Sequence, residues 1–282
     1  MENKKVWFVT GASKGLGLSL VKQLLSAGYS VAATSRTMDS LSKAVGSAES
    51  ESFLPLEVSI TSEQSVKDAV SKTIEKFGQI DVLVNNAGYG LFGAVEELSD
   101  EEARHNFDIN VFGSLNVIRQ TLPYMRANGS GKIFNISSIG GFRADFPGVG
   151  IYCSTKFAVA GFTEALASEV KELGISATVI YPGYFRTDFL SSESMVAPKN
   201  VIEDYAGARA SVQAHEKEID GNQPGDPEKA VAILIKIATK ENIPVHLFLG
   251  KDSYEMAQGK IETMTKNLEE YRAITVSTDF DS

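Results

Sequence analysis

Tyr152 and Lys156 stand four residues apart in the run Tyr152-Cys153-Ser154-Thr155-Lys156, and on a helix that spacing puts a phenol and an ammonium on one face. An ammonium within a few ångströms favours phenolate, so the pair is equipped to move a proton. The same spacing arises by chance in many helices, and its meaning depends on what accompanies it. Upstream, Asn135-Ile136-Ser137-Ser138 closes an apolar run with hydroxyls that can steady a carbonyl oxygen. Asn85-Asn86-Ala87-Gly88 closes another, with Asn110 in the helical stretch beyond it. Pro182-Gly183 closes a third, and Thr187 follows four residues later.

A second kind of chemistry is written near the start of the chain. Thr10-Gly11-Ala12-Ser13-Lys14-Gly15-Leu16-Gly17 follows the first apolar run and opens a helix with Leu16, Leu20, Val21 and Leu24 on its apolar face. Glycines there permit a tight turn and let a pyrophosphate approach the amide-rich helix N-terminus. The Gly-x3-Gly-x-Gly spacing differs from the Gly-x-Gly-x-x-Gly fingerprint, and a tight turn that holds no ligand is the alternative. The next apolar run ends at Thr34-Ser35-Arg36, where an NAD-selective site places an acid on the ribose 2′-hydroxyl. The acid is missing. Arg36, with Lys14 and Ser35, can hold a 2′-phosphate through charge-assisted hydrogen bonds, which points to NADP(H).

These residues need a frame that brings run ends together. Short apolar runs recur at Val6 to Thr10, Ser30 to Thr34, Phe53 to Val58, Ile80 to Val84, Lys132 to Ile136, Ser176 to Tyr181 and Val245 to Leu249, with helical patterns between them. Alternation of this kind is the βαβ signature, and consecutive apolar positions such as Val82-Leu83-Val84 suit strands covered on both faces. The expected fold is a doubly wound α/β sandwich, a seven-stranded parallel Rossmann-type sheet with helices on both faces. Gly28, Gly78 and Gly174 mark helix ends, and Asp100 a helix start. One domain is expected over 1–282, with 184–226 as a substrate lid, 251–272 as an extra C-terminal helix and 273–282 as a frayed tail.

The 282 residues, 43% of them hydrophobic, suffice for a large core, and a net charge of −9 disfavours nucleic-acid or anionic-membrane partners. Cys153 is the one cysteine, so a cytoplasmic location is the default. The apolar stretch after Met1-Glu2-Asn3-Lys4-Lys5 is too short for a signal-peptide core or a membrane span. His105, His215 and His246 have no metal-ligand spacing and read as ordinary surface or packing residues, so no metal is assigned.

With Thr-Gly-x3-Gly-x-Gly, Asn-Asn-Ala-Gly, an Asn and a Ser, Tyr-x3-Lys and Pro-Gly in that order, the chain resembles the compact branch of the short-chain dehydrogenase/reductase family over about residues 5 to 250. The resemblance implies Tyr152 as proton donor in reduction and base in oxidation, and Lys156 as the residue that holds the nicotinamide ribose and lowers the phenol's pKa. It implies Ser138 on the substrate oxygen and Asn110 on a water that links Lys156 to solvent. Gly11, Ser13, Lys14, Gly15, Leu16, Gly17, Ser35, Arg36, Glu57, Val58, Asn86, Ala87 and Gly88 would hold the adenosine and pyrophosphate. Pro182, Gly183, Phe185 and Thr187 would clasp the nicotinamide.

Three departures stand out: one extra residue between Ser138 and Tyr152, Glu57 where the family has aspartate, and a helical extension in place of a short glycine-rich end. The last of these leaves a homodimer or a homotetramer open. Phe142, Phe146, Tyr184 and Phe189, with Ser138 and Tyr152, would line the substrate side and favour hydrophobic ketones or aldehydes, reduced by NADPH. A nucleotide-sensing scaffold without turnover is the rival of another class. An epimerase or dehydratase is the rival among enzymes, and the chain length argues against it.

Overall fold

The computed structural model describes residues 5–191 and 194–280. Its elements run β1 Val6–Val9, α1 Gly15–Ser26, β2 Ser30–Ser35, α2 Met38–Val45, β3 Phe53–Glu57, α3 Glu63–Phe77, β4 Val82–Asn85, β5 Gly90–Leu91 and α4 Asp100–Phe107. A π-turn at Asp108–Phe112 leads into α5 Gly113–Asn128, then β6 Gly131–Ile136, α6 Gly150–Val170, β7 Ile175–Pro182, β8 Met195–Val196 and α7 Ala206–Ala214. A second π-turn, His215–Ile219, precedes α8 Pro227–Ala238, β9 His246–Leu249, α9 Lys251–Glu270 and α10 Arg272–Val276.

Seven strands form one parallel sheet in the order β3-β2-β1-β4-β6-β7-β9. Chain order reverses beside β1, whose neighbours are β2 and β4, and the crevice at that switch point lies beyond the carboxyl ends of the strands. Side-chain alternation splits the core. Trp7 and Val9 join Leu20, Leu24, Val231 and Leu234 under α1 and α8, while Phe8 joins Val66, Val70, Val117, Ile118 and Leu166 under α3, α5 and α6. All seven expected strands are present, with ends shifted by a residue or two.

Local chemistry sets the helix starts. Ser62 accepts a hydrogen bond from Ser65 N at the head of α3, and Asp226 caps α8 ahead of Pro227. At α4, Ser99 and Glu102 form a reciprocal capping box.

Segment 184–226 is more ordered than its weak periodicity predicts. β8 pairs with β5, and Phe185 bridges to Gly225. Two buried carboxylates hold the middle of the segment: Glu97 accepts from Ile202 N at 2.9 Å and Glu102 from Lys199 N at 3.1 Å. Residues 192–193 of this segment lie outside the described residues. The expected extra helix is α9. The tail expected to fray is instead helical at Arg272–Val276 although exposed throughout, and residues 281–282 lie outside the described residues. Among the described residues no helix is long and apolar enough to cross a membrane.

Candidate active site

One threonine links the two turns at the switch point. Thr10 Oγ1 accepts from the backbone N–H of Asn86 at 3.0 Å and of Ala87 at 3.1 Å, and Asn86 Nδ2 donates back to the carbonyls of Thr10 and Gly11. The contact is so close that a Cβ on Gly11, at φ +65°, would meet Ala87 Cα at 2.7 Å. A Cβ on Gly17 would meet Asn86 Nδ2 and the Gly11 carbonyl, each at 2.5 Å. Gly17 is therefore a packing glycine beneath the turn, not part of the cavity wall. Asn85 has a structural role as well: its Nδ2 donates to Asn135 Oδ1, and Asn135 Nδ2 donates to Thr163 Oγ1, tying β4, β6 and α6 together in the interior.

Next to these turns opens a cavity of about 860 Å³, walled by Gly11, Ser13, Lys14, Gly15 and Leu16, by Ser35, Arg36 and Val58, by Asn86, Ala87 and Gly88, and by Pro182, Gly183, Phe185 and Thr187. Lys14 is the N-cap residue of α1, and the first turn of that helix borders the cavity at Gly15 and Leu16, where backbone amides can meet an anion. A helix N-terminus, a glycine turn and a basic rim fit the pyrophosphate and ribose of a dinucleotide. Ser35 has its hydroxyl committed to the Thr37 carbonyl. Glu57 is exposed, accepts from Met38 N at 3.3 Å and lies outside the wall; the β3 terminus turns its longer side chain toward α2.

The proton-transfer pair lies further along the same cavity. Tyr152 and Lys156 are both buried on α6, and Lys156 Nζ sits 5.8 Å from the Tyr152 ring centroid. Lys156 Nζ donates to the Ile136 carbonyl at 2.9 Å, and Ser137 Oγ donates to the Lys156 carbonyl at 2.8 Å, fixing α6 against the end of β6. Ser138, one residue on, accepts from Gly140 N and faces the phenol. Burial pushes the Tyr152 phenol far above the ordinary range, opposed by its hydrogen bond with Ser138. The same burial lowers Lys156 from 10.5 to about 8. The expectation that the ammonium depresses the phenol is therefore not met in this chain alone. The ammonium faces the ring and a carbonyl, and desolvation governs both groups.

Asn110 is buried in the first π-turn. Its Oδ1 accepts from Tyr89 N at 3.0 Å, and its Nδ2 is shared between the Tyr89 carbonyl and Thr155 Oγ1. It lies behind the wall rather than on it. The side chain belongs to the same cluster all the same, since a Cβ on Gly88 would meet both Asn110 Oδ1 at 2.9 Å and Lys156 Nζ at 3.6 Å.

The far end of the cavity is aromatic. Phe92 stacks on Tyr152 at 6.4 Å, Phe189 tilts against it at 6.0 Å, and Phe146, Val149 and Leu190 complete the cluster. Tyr184 is on the wall, its N–H held by Asp252 Oδ2 at 2.7 Å, so the first turn of α9 braces the cavity. Phe142 is not there. It packs edge-on against Tyr181 and Phe248 in a separate cluster under the sheet edge, because the 3-10 turn after Ser138 points it away. His215, expected to be an ordinary surface or packing residue, lines the cavity and meets Tyr184 Oη at 2.9 Å. Its position between Val212 and Ile219, three residues before and four after it, was the available signal.

Fold and cleft together are those of a nicotinamide-dependent oxidoreductase. Residues 5–196 match the short chain dehydrogenase family model. The chain is 36% identical over 274 residues to an oxidoreductase, BOA17, of Botryotinia fuckeliana, covering 97% of this chain and 99% of that one. A solved short-chain dehydrogenase from Streptomyces avermitilis superposes with TM-score 0.89 at 33% identity, covering 98% of this chain and all of its own. ElxO, solved with NADP bound, gives TM-score 0.71 at 29% identity, covering 87% and 96%. The chain belongs to the short-chain dehydrogenase/reductase family.

Proposed function

We propose that the chain is an NADP(H)-dependent carbonyl reductase of hydrophobic ketones or aldehydes. The observation that carries this reading is the convergence of Ser138, Tyr152 and Lys156 on a cavity whose other end is the glycine turn with its basic rim. Bound NADPH supplies the hydride. The hydroxyls of Ser138 and Tyr152 donate to the substrate oxygen, and Tyr152 Oη gives that oxygen its proton as negative charge develops there. A phenol whose pKa is raised by burial remains protonated and ready to donate. The resulting phenolate is desolvated in the same cluster as the Lys156 ammonium, whose burial weakens its hold on its proton and so favours reprotonation of Tyr152. Asn110 anchors the Tyr89 backbone and Thr155 around this pair, and Phe92, Phe146 and Phe189 exclude water and favour an apolar substrate body.

Cofactor choice rests on the β2 terminus, where Arg36 stands in place of an acid, together with Lys14 in the glycine turn. The kcat/KM with NADPH should exceed that with NADH by about ten- to a few hundred-fold, the range of one or two charge-assisted hydrogen bonds. Steady-state assay of a panel of aryl and alkyl ketones with both cofactors, on wild type and Arg36→Asp, tests this. The variant should lower or reverse the ratio, and equal use of both cofactors by wild type would contradict the NADP assignment.

A further inference from the structure

Away from the reacting carbonyl, the cavity holds a second polar pair that proton transfer does not use. Tyr184 Oη and His215 Nε2 are 2.9 Å apart, and both residues are on the wall. The imidazole is fixed from its other side. His215 Nδ1 lies 2.7 Å from the Ser211 carbonyl, an oxygen that only accepts, so Nδ1 carries the hydrogen. In a neutral ring Nε2 is then an acceptor, and the Tyr184 hydroxyl must donate to it. The phenol oxygen is left with lone pairs, and no hydrogen, to offer the cavity.

Two further features mark the pair as a binding element. His215 is the polar member of an apolar face: Val212 and Ile219 pack into the cluster of Phe92, Tyr152 and Phe189, and Phe92 meets the imidazole edge-on at 5.2 Å. The residue also opens a π-turn, with Asp220 N bonded to its carbonyl at 3.0 Å, and such bulges recur at functional sites. Gln223 borders the same wall from the interior. It is 2% exposed, its Nε2 is committed to Asp220 Oδ1 at 3.2 Å, and its buried Oε1 has no partner among the described residues. The adjoining backbone is held beside Tyr184 by the Gly225 N–H bond to the Tyr184 carbonyl at 2.9 Å.

We propose that Tyr184, oriented by His215, forms an acceptor subsite that selects carbonyl substrates carrying a hydroxyl or N–H donor on their apolar body. The subsite rests on the reductase reading, which supplies the reacting carbonyl near Tyr152. Tyr184 is the specificity residue, and His215 is a positioning residue that acts through it. A donor-bearing substrate satisfies the oxygen, whereas an ether at the same place sets two acceptors face to face.

The test uses para-hydroxyphenyl and para-methoxyphenyl alkyl ketones of equal chain length, with NADPH, on wild type, Tyr184→Phe and His215→Phe. Calorimetry of a para-alkylphenol and its methyl ether on the NADPH-saturated protein runs beside it, and circular dichroism confirms folding of each variant. Wild type should favour the hydroxy ketone by about ten-fold in kcat/KM, the effect of one hydrogen bond at a half-buried site. The ratio, which cancels any general loss of activity, should fall to near one in Tyr184→Phe. In His215→Phe the ratio should fall because the methoxy ketone improves, since the freed Tyr184 hydroxyl now donates; a merely structural histidine would not move it that way. Equal turnover of both ketones by wild type, or an unchanged ratio in Tyr184→Phe, overturns the subsite and leaves the reductase standing. Phenol-selective binding that is lost in Tyr184→Phe, without reduction of any ketone, upholds the subsite and overturns the reductase. Absence of both overturns both.

Discussion

Replacing Lys156 by Met removes an ammonium that the protein holds in the interior against its preference for water. The displacement of its pKa from 10.5 to about 8, at 1.36 kcal/mol per pH unit, corresponds to a penalty of about 3 kcal/mol on the folded state. Because the folded value lies below the unfolded one, the unfolded chain binds more protons between those two pH values, and wild-type stability rises with pH across them. The full penalty is present below pH 8 and is gone above 10.5. Against this stands the hydrogen bond to the Ile136 carbonyl, whose loss costs about 1 kcal/mol at any pH. Lys156→Met should therefore be more stable than wild type by about 2 kcal/mol at pH 7 and less stable by about 1 kcal/mol above pH 10.5. Ketone reduction should be abolished throughout. Urea unfolding of both proteins across this range measures the crossing. A variant that is less stable at pH 7, with a difference that does not change with pH, would refute the claim that desolvation governs this site.

Glu97→Gln should lower stability and raise the KM for substrate, because the buried carboxylate accepts from Ala94 N and Ile202 N and so anchors the 199–202 stretch. Those hydrogen bonds hold its pKa below 4.5, so the stability gap from wild type should be full above that pH and close as pH falls through the depressed folded value, as acid titrations of the two proteins will show. Phe142→Leu should cost roughly 1 kcal/mol of stability in urea with an unchanged KM for aryl ketones, whereas Phe189→Leu, beside Tyr152, should raise that KM.

Spacing carried much of the site. Thr10 and Asn86 were legible as two separate motifs, and the sheet order that makes β1 and β4 neighbours is what joins them. Runs of consecutive apolar residues announced strands covered on both sides, because a parallel sheet leaves them no wet face. The first π-turn is invisible in the sequence, since Asp108-Ile109-Asn110-Val111-Phe112 mixes polar and apolar residues as an ordinary helical turn does, yet it sets where Asn110 points. Phe142 and Phe189 are the same residue type, each a few residues beyond a strand end, and only the direction of the following 3-10 turn separates a core ring from a cavity ring. Glu57 failed for a similar reason, as its direction depends on packing against α2. His215 has no metal-ligand spacing to single it out. The apolar neighbours at helical intervals would have placed it on a buried face. The order in 184–226 comes from Glu97 and Glu102, which are distant in sequence and leave no periodic trace in the segment they hold.

The central claim is that the Tyr152 hydroxyl protonates the substrate oxygen. Single-turnover oxidation of bound NADPH by an aryl ketone, followed by absorbance in wild type and Tyr152→Phe, tests it with the ring and the cavity retained. The chemical step should slow by about two to four orders of magnitude, the usual contribution of a positioned acid, while NADPH affinity measured by fluorescence stays within about two-fold. A Tyr152→Phe rate within a few-fold of wild type, at unchanged NADPH affinity, would contradict the account.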